Sequence, residues 1–216
     1  PVLVVVPAAL LYNWQAEIQE KWRPGDTVTI LSGTAVLPRR LAQWTITTYG
    51  QVAKYLPVLK RAGFRSLIID EAHLIKNLES QRTQNVLELV APDKPSPGQK
   101  LIPSRLAVTG TPVMNRPPEI FPVLVFLGKA ERSGWNRFLA RYTIRESRGG
   151  EEVFVGYTHL DELHESLKPF MLRRLKSQVP EIVAQLPPKI YRPVYTNLTN
   201  APEYRRAERN FLAWLE

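Results

Sequence analysis

Short apolar runs rich in valine and isoleucine recur along the chain at residues 2–6, 28–31, 45–48, 66–69 and 105–109, and each predicts a β-strand. Between them, residues 10–21, 49–62, 80–90 and 117–127 place apolar side chains at mainly helical spacing. Strands alternating with helices predict a parallel α/β sheet joined by right-handed crossovers. The strands are continuously apolar rather than alternating, as expected where helices cover both faces of a sheet. From Ala91 to Pro103 the Pro, Gly, Ser and Lys content rises, which predicts a loop. Beyond Leu127 the pattern loosens into a Trp135 to Tyr142 segment, a charged Arg145 to Glu152 turn and a helix-like His159 to Leu167. Consecutive prolines after Leu186 predict an extended linker entering a strand, followed by a charged helix from Glu203 to Leu215. The division expected is a sheet domain over 1–128, a helical appendage with a basic segment over 129–185, and a linker over 186–216.

Composition narrows the chemistry. The 216 residues carry 44% hydrophobic side chains, enough for a substantial core, and a formal charge of +9 that favours a polyanionic partner. There is no cysteine, so disulfides and thiolate metal sites are excluded. The apolar run at Val2–Val6 is far shorter than the roughly 20 residues that span a bilayer, so no membrane partner is expected. Because the chain starts at Pro1 and enters an apolar strand at once, a longer natural polypeptide is expected upstream.

Two adjacent acids, Asp70 and Glu71, close the apolar run Leu67-Ile68-Ile69. In open α/β sheets ligands bind beyond the carboxyl ends of strands. Phosphoryl transfer to water needs one carboxylate to hold hydrated magnesium and another group to orient the attacking water. The bland alternative is that Asp70 caps a helix and Glu71 is a solvated neighbour. A second strand ends in Thr109-Gly110-Thr111-Pro112, a hydroxyl-rich turn suited to sensing the acids or a phosphate, or equally a helix entry with Gly110 for backbone freedom.

Together these residues resemble the Swi/Snf-type branch of helicase superfamily two. VVVPAALLYNW (Val4 to Trp14) is similar to motif Ia, TITTY (Thr45 to Tyr49) to motif Ib, and IIDEAHLIKN (Ile68 to Asn77) to motif II and its extension. LAVTGTPVMNRPPEIFPVLVFL (Leu106 to Leu127) is similar to motif III and its following helix, and LKPFMLRRLKSQV (Leu167 to Val179) to the segment before the inter-lobe linker. The resemblance implies a RecA-like lobe that, paired with a second lobe of the same chain, hydrolyses ATP with Mg2+ and moves along the phosphate backbone of double-stranded DNA. The site of action would be intracellular, in a bacterial cytoplasm or nucleoid or in a nucleus. In that reading Asp70 binds magnesium through water and Glu71 activates the hydrolytic water. His73, Thr109, Gly110 and Thr111 couple nucleotide state to the DNA-facing surface, and Lys76 and Asn77 position them. The family usually has a basic residue where Leu74 stands, so that contact is lacking here.

A phosphate loop of the form G-x-x-x-x-G-K-[ST] does not occur in these 216 residues; Gly128-Lys129-Ala130 lacks both the upstream glycine and the hydroxyl. The segment alone is therefore expected not to turn over ATP, and a non-catalytic DNA-binding or partner-binding remnant of the fold is the alternative. DNA-contact candidates are Asn13, Thr47 and Thr48, by side chain or backbone, together with Arg173 and Arg174 in a segment that also holds Lys176, Lys189 and Arg192. For Arg173 and Arg174, a solvated face or ion pairing between lobes is the equal alternative. Trp14 and Trp22 fit an amphipathic helix packed on the sheet rather than base stacking. His159 and His164 are five apart and unaccompanied by cysteine, which does not suit zinc.

Overall fold

The computed structural model describes residues 1–33, 36–148, 151–175, 178–179, 181, 190–194 and 199–215. The chain divides into two compact units, Pro1–Pro169 and Phe170–Glu216. The first is built on a five-stranded parallel sheet with spatial order β2-β3-β1-β4-β5, made of β1 (Val2–Val6), β2 (Val28–Leu31), β3 (Trp44–Thr48), β4 (Ser66–Asp70) and β5 (Ser104–Val108). Each strand falls within a residue or so of its apolar run.

The sequence places β1 at the centre for a physical reason. Leu3, Val4, Val5 and Val6 are fully buried, and such a strand needs cover on both faces and a neighbour on both edges. It pairs in parallel with β3 (Val5 opposite Thr47) and with β4 (Val5 opposite Ile69). In parallel sheets every strand ends on the same side, so the exits of β1, β3, β4 and β5 form one polar rim. In β5, Leu106 and Val108 are exposed, because this strand is the sheet's edge.

The helices cover the sheet as the periodicity predicts. After β1 come a 3-10 turn (Ala8–Leu10), α1 (Leu11–Ala16) and a π-helical stretch (Glu17–Trp22). Their apolar positions Leu11 and Ile18 pack with Val4, Val6 and Ile46, and Trp14 lies against this cluster. Helix α2 (Val52–Leu59) follows β3, and α3 (Gln81–Leu87) begins at Ser80, whose hydroxyl accepts the Thr83 N–H at 3.3 Å. A 3-10 turn (Pro117–Ile120) leads into α4 (Phe121–Phe126), every residue of which is buried.

The appendage differs from the expected helical one. Helix α5 (Trp135–Tyr142) and α6 (Leu160–Leu167) are present, but the charged stretch between them is an antiparallel hairpin of β6 (Thr143–Arg148) and β7 (Glu151–Tyr157). A two-stranded ribbon leaves side chains such as Ile144, Val153 and Phe154 partly exposed, so it lacks the one-sided alternation that marks a strand in sequence. Phe121 anchors α5 through Trp135 and Phe138, with ring centroids 5.2 and 5.0 Å away.

The second unit holds the exposed Arg173 and Arg174 and helix α7 (Ala201–Leu215). Arg192 is described and exposed, whereas Lys176, Lys189 and most of the expected linker lie outside the described residues. Among the described residues no helix is long and apolar enough to cross a membrane.

Candidate functional site

The rim of the sheet is organised around the end of β4. Asp70 is its last residue, in register with Val108 of β5. The Asp70 carboxylate accepts the Glu71 N–H at Oδ1 (2.8 Å) and the Trp14 indole N–H at Oδ2 (2.8 Å). Its main-chain carbonyl accepts the Tyr49 hydroxyl at 2.6 Å. Tyr49 is 4% exposed. Burial pushes its phenol well above the usual range; the Asp70 and Glu71 carboxylates act in the same direction, against the Arg82 guanidinium over its ring, so Tyr49 stays a donor.

Glu71 takes a left-handed backbone, φ 51° and ψ 52°, which costs a non-glycine residue about 1–2 kcal/mol. The kink turns its side chain out of the strand line toward His73. Glu71 Oε2 lies 3.2 Å from His73 Nδ1, which lies 3.1 Å from Thr109 Oγ1. The Thr111 N–H donates to the same Thr109 oxygen at 3.1 Å. A proton on Nδ1 satisfies this arrangement, since a bare Nδ1 would face the Glu71 carboxylate as acceptor against acceptor. Glu71, His73, Thr109 and Thr111 thus form one continuous relay. Gly110 is exposed within the turn, and a Cβ there would meet nothing within 4 Å, so the fold itself does not demand glycine.

Below the relay, Glu119 accepts the Met114 and Asn115 N–H groups at 3.3 and 3.1 Å and faces the Lys76 ammonium at 3.5 Å. Burial opposes ionisation of Glu119, but the Asn115 and Arg116 backbone donors and the Lys76 charge outweigh it and hold the carboxyl below the usual range. Lys76, Asn115 and Glu119 line a cleft of about 740 Å³ that also includes Asn77, Arg116, Trp135 and Phe154.

For a metal, the donor set is the hard oxygens of Asp70, each already carrying one N–H partner and retaining a free lone pair. That suits a magnesium ion which keeps several waters and takes one or two carboxylates. Among the described residues no group of three or more metal-ligating side chains occurs.

Of the DNA-contact candidates, Asn13 is exposed on α1 and Thr48 is half-buried at the β3 exit. For Thr47 the side-chain contact requires a correction: the residue is fully buried in a strand flanked on both edges, and its hydroxyl donates to the Leu31 carbonyl of β2 at 2.9 Å. Trp22 requires another. It is 52% exposed, touching Trp14 edge-on at 5.4 Å, while Trp14 is partly buried. Gly128 is the positive-φ residue (70°) ending α4, a helix stop and not a phosphate cradle. Sequence reasoning missed Trp14, Tyr49 and Glu119 as site residues. The signal for the first two was their place at the ends of the stretches similar to motifs Ia and Ib, each one residue after a DNA-contact candidate.

The model for the SNF2-related domain matches residues 1–205. The chain belongs to that family. It is 30% identical over 213 residues to the DNA annealing helicase and endonuclease ZRANB3 of Bos taurus, covering 93% of this chain and 19% of that protein. It is 34% identical over 203 residues to the ATP-dependent helicase brm of Drosophila melanogaster, covering 88% of this chain and 12% of that one. Helicase swr1 of Aspergillus fumigatus is 30% identical over 226 residues, with 94% of this chain and 12% of that protein covered. The SNF2-related chain thus spans less than a fifth of these relatives. Among solved structures, the Sulfolobus solfataricus SWI2/SNF2 ATPase core in complex with dsDNA superposes with a TM-score of 0.65 at 27% identity, covering 99% of this chain and 42% of that one. The five-stranded parallel sheet flanked by helices is the RecA-like fold of such a core.

Proposed function

We propose that this SNF2-related segment is part of the first lobe of an ATP-dependent double-stranded DNA translocase and supplies the metal-side and water-side acids of its nucleotide site. The observation that carries the reading is the relay Glu71–His73–Thr109–Thr111 beside Asp70 at the carboxyl rim of a parallel sheet. Asp70 would hold Mg2+, which would supply charge stabilisation to the phosphates of a bound ATP. Glu71, turned out of the strand by its left-handed backbone, orients and deprotonates the attacking water. His73 bridges the Glu71 carboxylate and the Thr109 hydroxyl and so links the acid to the Thr109–Thr111 turn. Lys76 and Glu119 fix the other end of that turn, and Asn77 lines the cleft beside them.

DNA is met by its phosphates. Asn13 stands exposed on α1 and Thr48 at the exit of β3, and Arg173 and Arg174 add exposed charge in the second unit. Two relatives, one an annealing helicase and one an ATP-dependent helicase, support this partner, as does the Sulfolobus core solved in complex with dsDNA. Action on DNA implies an intracellular protein.

The test is ATP turnover, with and without duplex DNA, in a polypeptide joining this segment to a phosphate loop and a second lobe. DNA-stimulated hydrolysis abolished by Glu71→Gln, with DNA binding retained, is the expected result. Unchanged turnover in that variant removes Glu71 from the chemistry. Duplex binding with no turnover in the unmutated polypeptide would favour a non-catalytic DNA-binding module.

A further inference from the structure

Two hydrogen bonds from separate surface segments converge on one residue of the site. Trp14 Nε1 donates to Asp70 Oδ2 at 2.8 Å across 56 residues, and the Tyr49 hydroxyl donates to the Asp70 carbonyl at 2.6 Å across 21. Trp14 directly follows Asn13, which is exposed on α1, and Tyr49 directly follows Thr48, at the exit of β3. Each donor is therefore one residue from a DNA-contact candidate, Asn13 exposed on α1 and Thr48 half-buried at the end of β3. Both rings are packed: Trp14 lies on the Val4–Val6–Ile46 cluster and meets Trp22 in an edge-to-face contact, and Tyr49 is almost wholly buried under the Arg82 guanidinium, 5.9 Å from its centroid.

From this convergence we infer that Trp14 and Tyr49 are positioning residues through which contact of duplex DNA with α1 and the β3 exit adjusts the metal-side carboxylate of Asp70; the inference rests on the proposed role of Asp70. Indole and phenol are suited to the task. Each presents a rigid plane with a polar tip, so a displacement of the backbone beside Asn13 or Thr48 is carried to the tip rather than absorbed by rotamers. Hydrogen bonds of 2.6–2.8 Å are at the short end of the useful range, and a shift of about 1 Å takes them beyond it. Loss of the indole donor removes one of the two N–H groups on the Asp70 carboxylate and makes it a stronger acceptor for a metal-bound water. Loss of the Tyr49 bond releases the Asp70 backbone. DNA on the outer side and Mg2+ on the inner side then bind with a shared coupling free energy, each altering the affinity of the other by the same factor.

The test uses the 216-residue chain, magnesium chloride alone and a duplex of mixed sequence, read by indole and backbone 1H–15N spectra. The five tryptophans give five indole signals, and the Trp14 signal is assigned by its loss in Trp14→Phe, which keeps a ring and deletes the donor. Expected are movement of the Trp14 indole on adding Mg2+ and again on adding DNA, and at least about a fivefold change in Mg2+ affinity on DNA binding, read at the Glu71 amide. That change should shrink toward none in Trp14→Phe and in Tyr49→Phe, each with the dispersion of a folded protein. If the Glu71 amide responds to Mg2+ but the Trp14 indole does not, or if the DNA effect on Mg2+ affinity is the same in both variants, the inference fails and Asp70 keeps its role. If neither the Asp70 nor the Glu71 amide responds to Mg2+, the reading of Asp70 fails and the inference goes with it.

Discussion

Arg105 sits at the start of β5, at the opposite end from the Thr109–Thr111 turn, and its guanidinium is committed to three carbonyl oxygens. Nε donates to Ile102 at 3.2 Å, Nη1 to Phe126 at 3.1 Å and Nη2 to Val90 at 2.9 Å. All three acceptors belong to buried residues, and Phe126 is the last residue of α4, where carbonyls lack helical partners. Burial holds the guanidinium below its ordinary pKa, so part of what the bonds contribute offsets its desolvation. Arg105→Met keeps most of the aliphatic packing and orphans the three acceptors, at about 1–3 kcal/mol for each buried carbonyl that water does not reach. Arg105 is only partly buried, so water recovers some of this loss, and relief of the desolvation returns more. A net loss of about 3 kcal/mol is expected, equivalent to a fall in Tm of about 6–12 °C for a chain of this size. Urea and thermal denaturation followed by far-ultraviolet circular dichroism measure it, with Arg105→Lys expected to fall between the two because an ammonium can reach fewer of the carbonyls. A loss below about 1 kcal/mol in Arg105→Met would mean that the turn after α3, the end of α4 and the start of β5 are not held together through this side chain.

Three further outcomes follow from the site. Thr109→Val removes the oxygen shared by His73 and the Thr111 N–H, so DNA-stimulated turnover in the two-lobed polypeptide should drop while duplex affinity stays; Thr109→Ser should restore it, and a valine variant as active as the parent would break the relay argument. The folded-state pKa of Glu119 is depressed, so its stabilising contribution is full above the ordinary carboxylate value of 4.5 and is lost as pH falls through the lower folded value. Denaturation of the parent and Glu119→Gln should show a stability gap at neutral pH that closes in acid, and a gap constant with pH would refute the ionised reading. Duplex binding should weaken with salt at a slope of about 0.9 per phosphate neutralised, and removing Arg173 or Arg174 should lower that slope by about 0.9 each; an unchanged slope assigns them to internal pairing.

How much of this was legible depended on the range of the interaction. Strands such as β1 and β4 could be read because burial leaves an unbroken apolar run, as in Val2–Val6 and Leu67–Ile69, and the edge strand β5 because its Leu106-Ala107-Val108 run is apolar although two of these side chains are exposed. The acids and the Thr109–Thr111 turn could be read because the polar residues follow directly on such runs. The hairpin at Thr143–Tyr157 could not, since both of its faces are partly exposed and its pattern is charged. Nor could the partner of the Trp14 indole. A tryptophan in an amphipathic helix reads as core, and only the parallel register that sets β1 beside β4 brings its donor to Asp70. Thr47 illustrates the converse: its motif suggested the surface, whereas its place in an interior strand turned it inward.

The bonds that assemble the site differ in kind from those that assemble the sheet. The sheet is held by parallel ladders and by side chains at 0% exposure, a cooperative body that does not yield locally. The site is held by bonds through side chains, Trp14 and Tyr49 to Asp70 and His73 to Glu71 and Thr109, none of which belongs to a ladder. Each such bond contributes about 1 kcal/mol and can be broken without disturbing a strand. The strain stored in the Glu71 backbone is of the same order, so the balance that holds its carboxylate toward His73 is small. A rim held in this way can change its arrangement at an energy cost that ligand binding readily supplies, while the strand ends beneath it stay fixed to within the rigidity of the core. Under the proposed function the site takes up and releases nucleotide while following a moving strand of phosphates, and weak, long-range bonds on the end of a stiff sheet give it that combination.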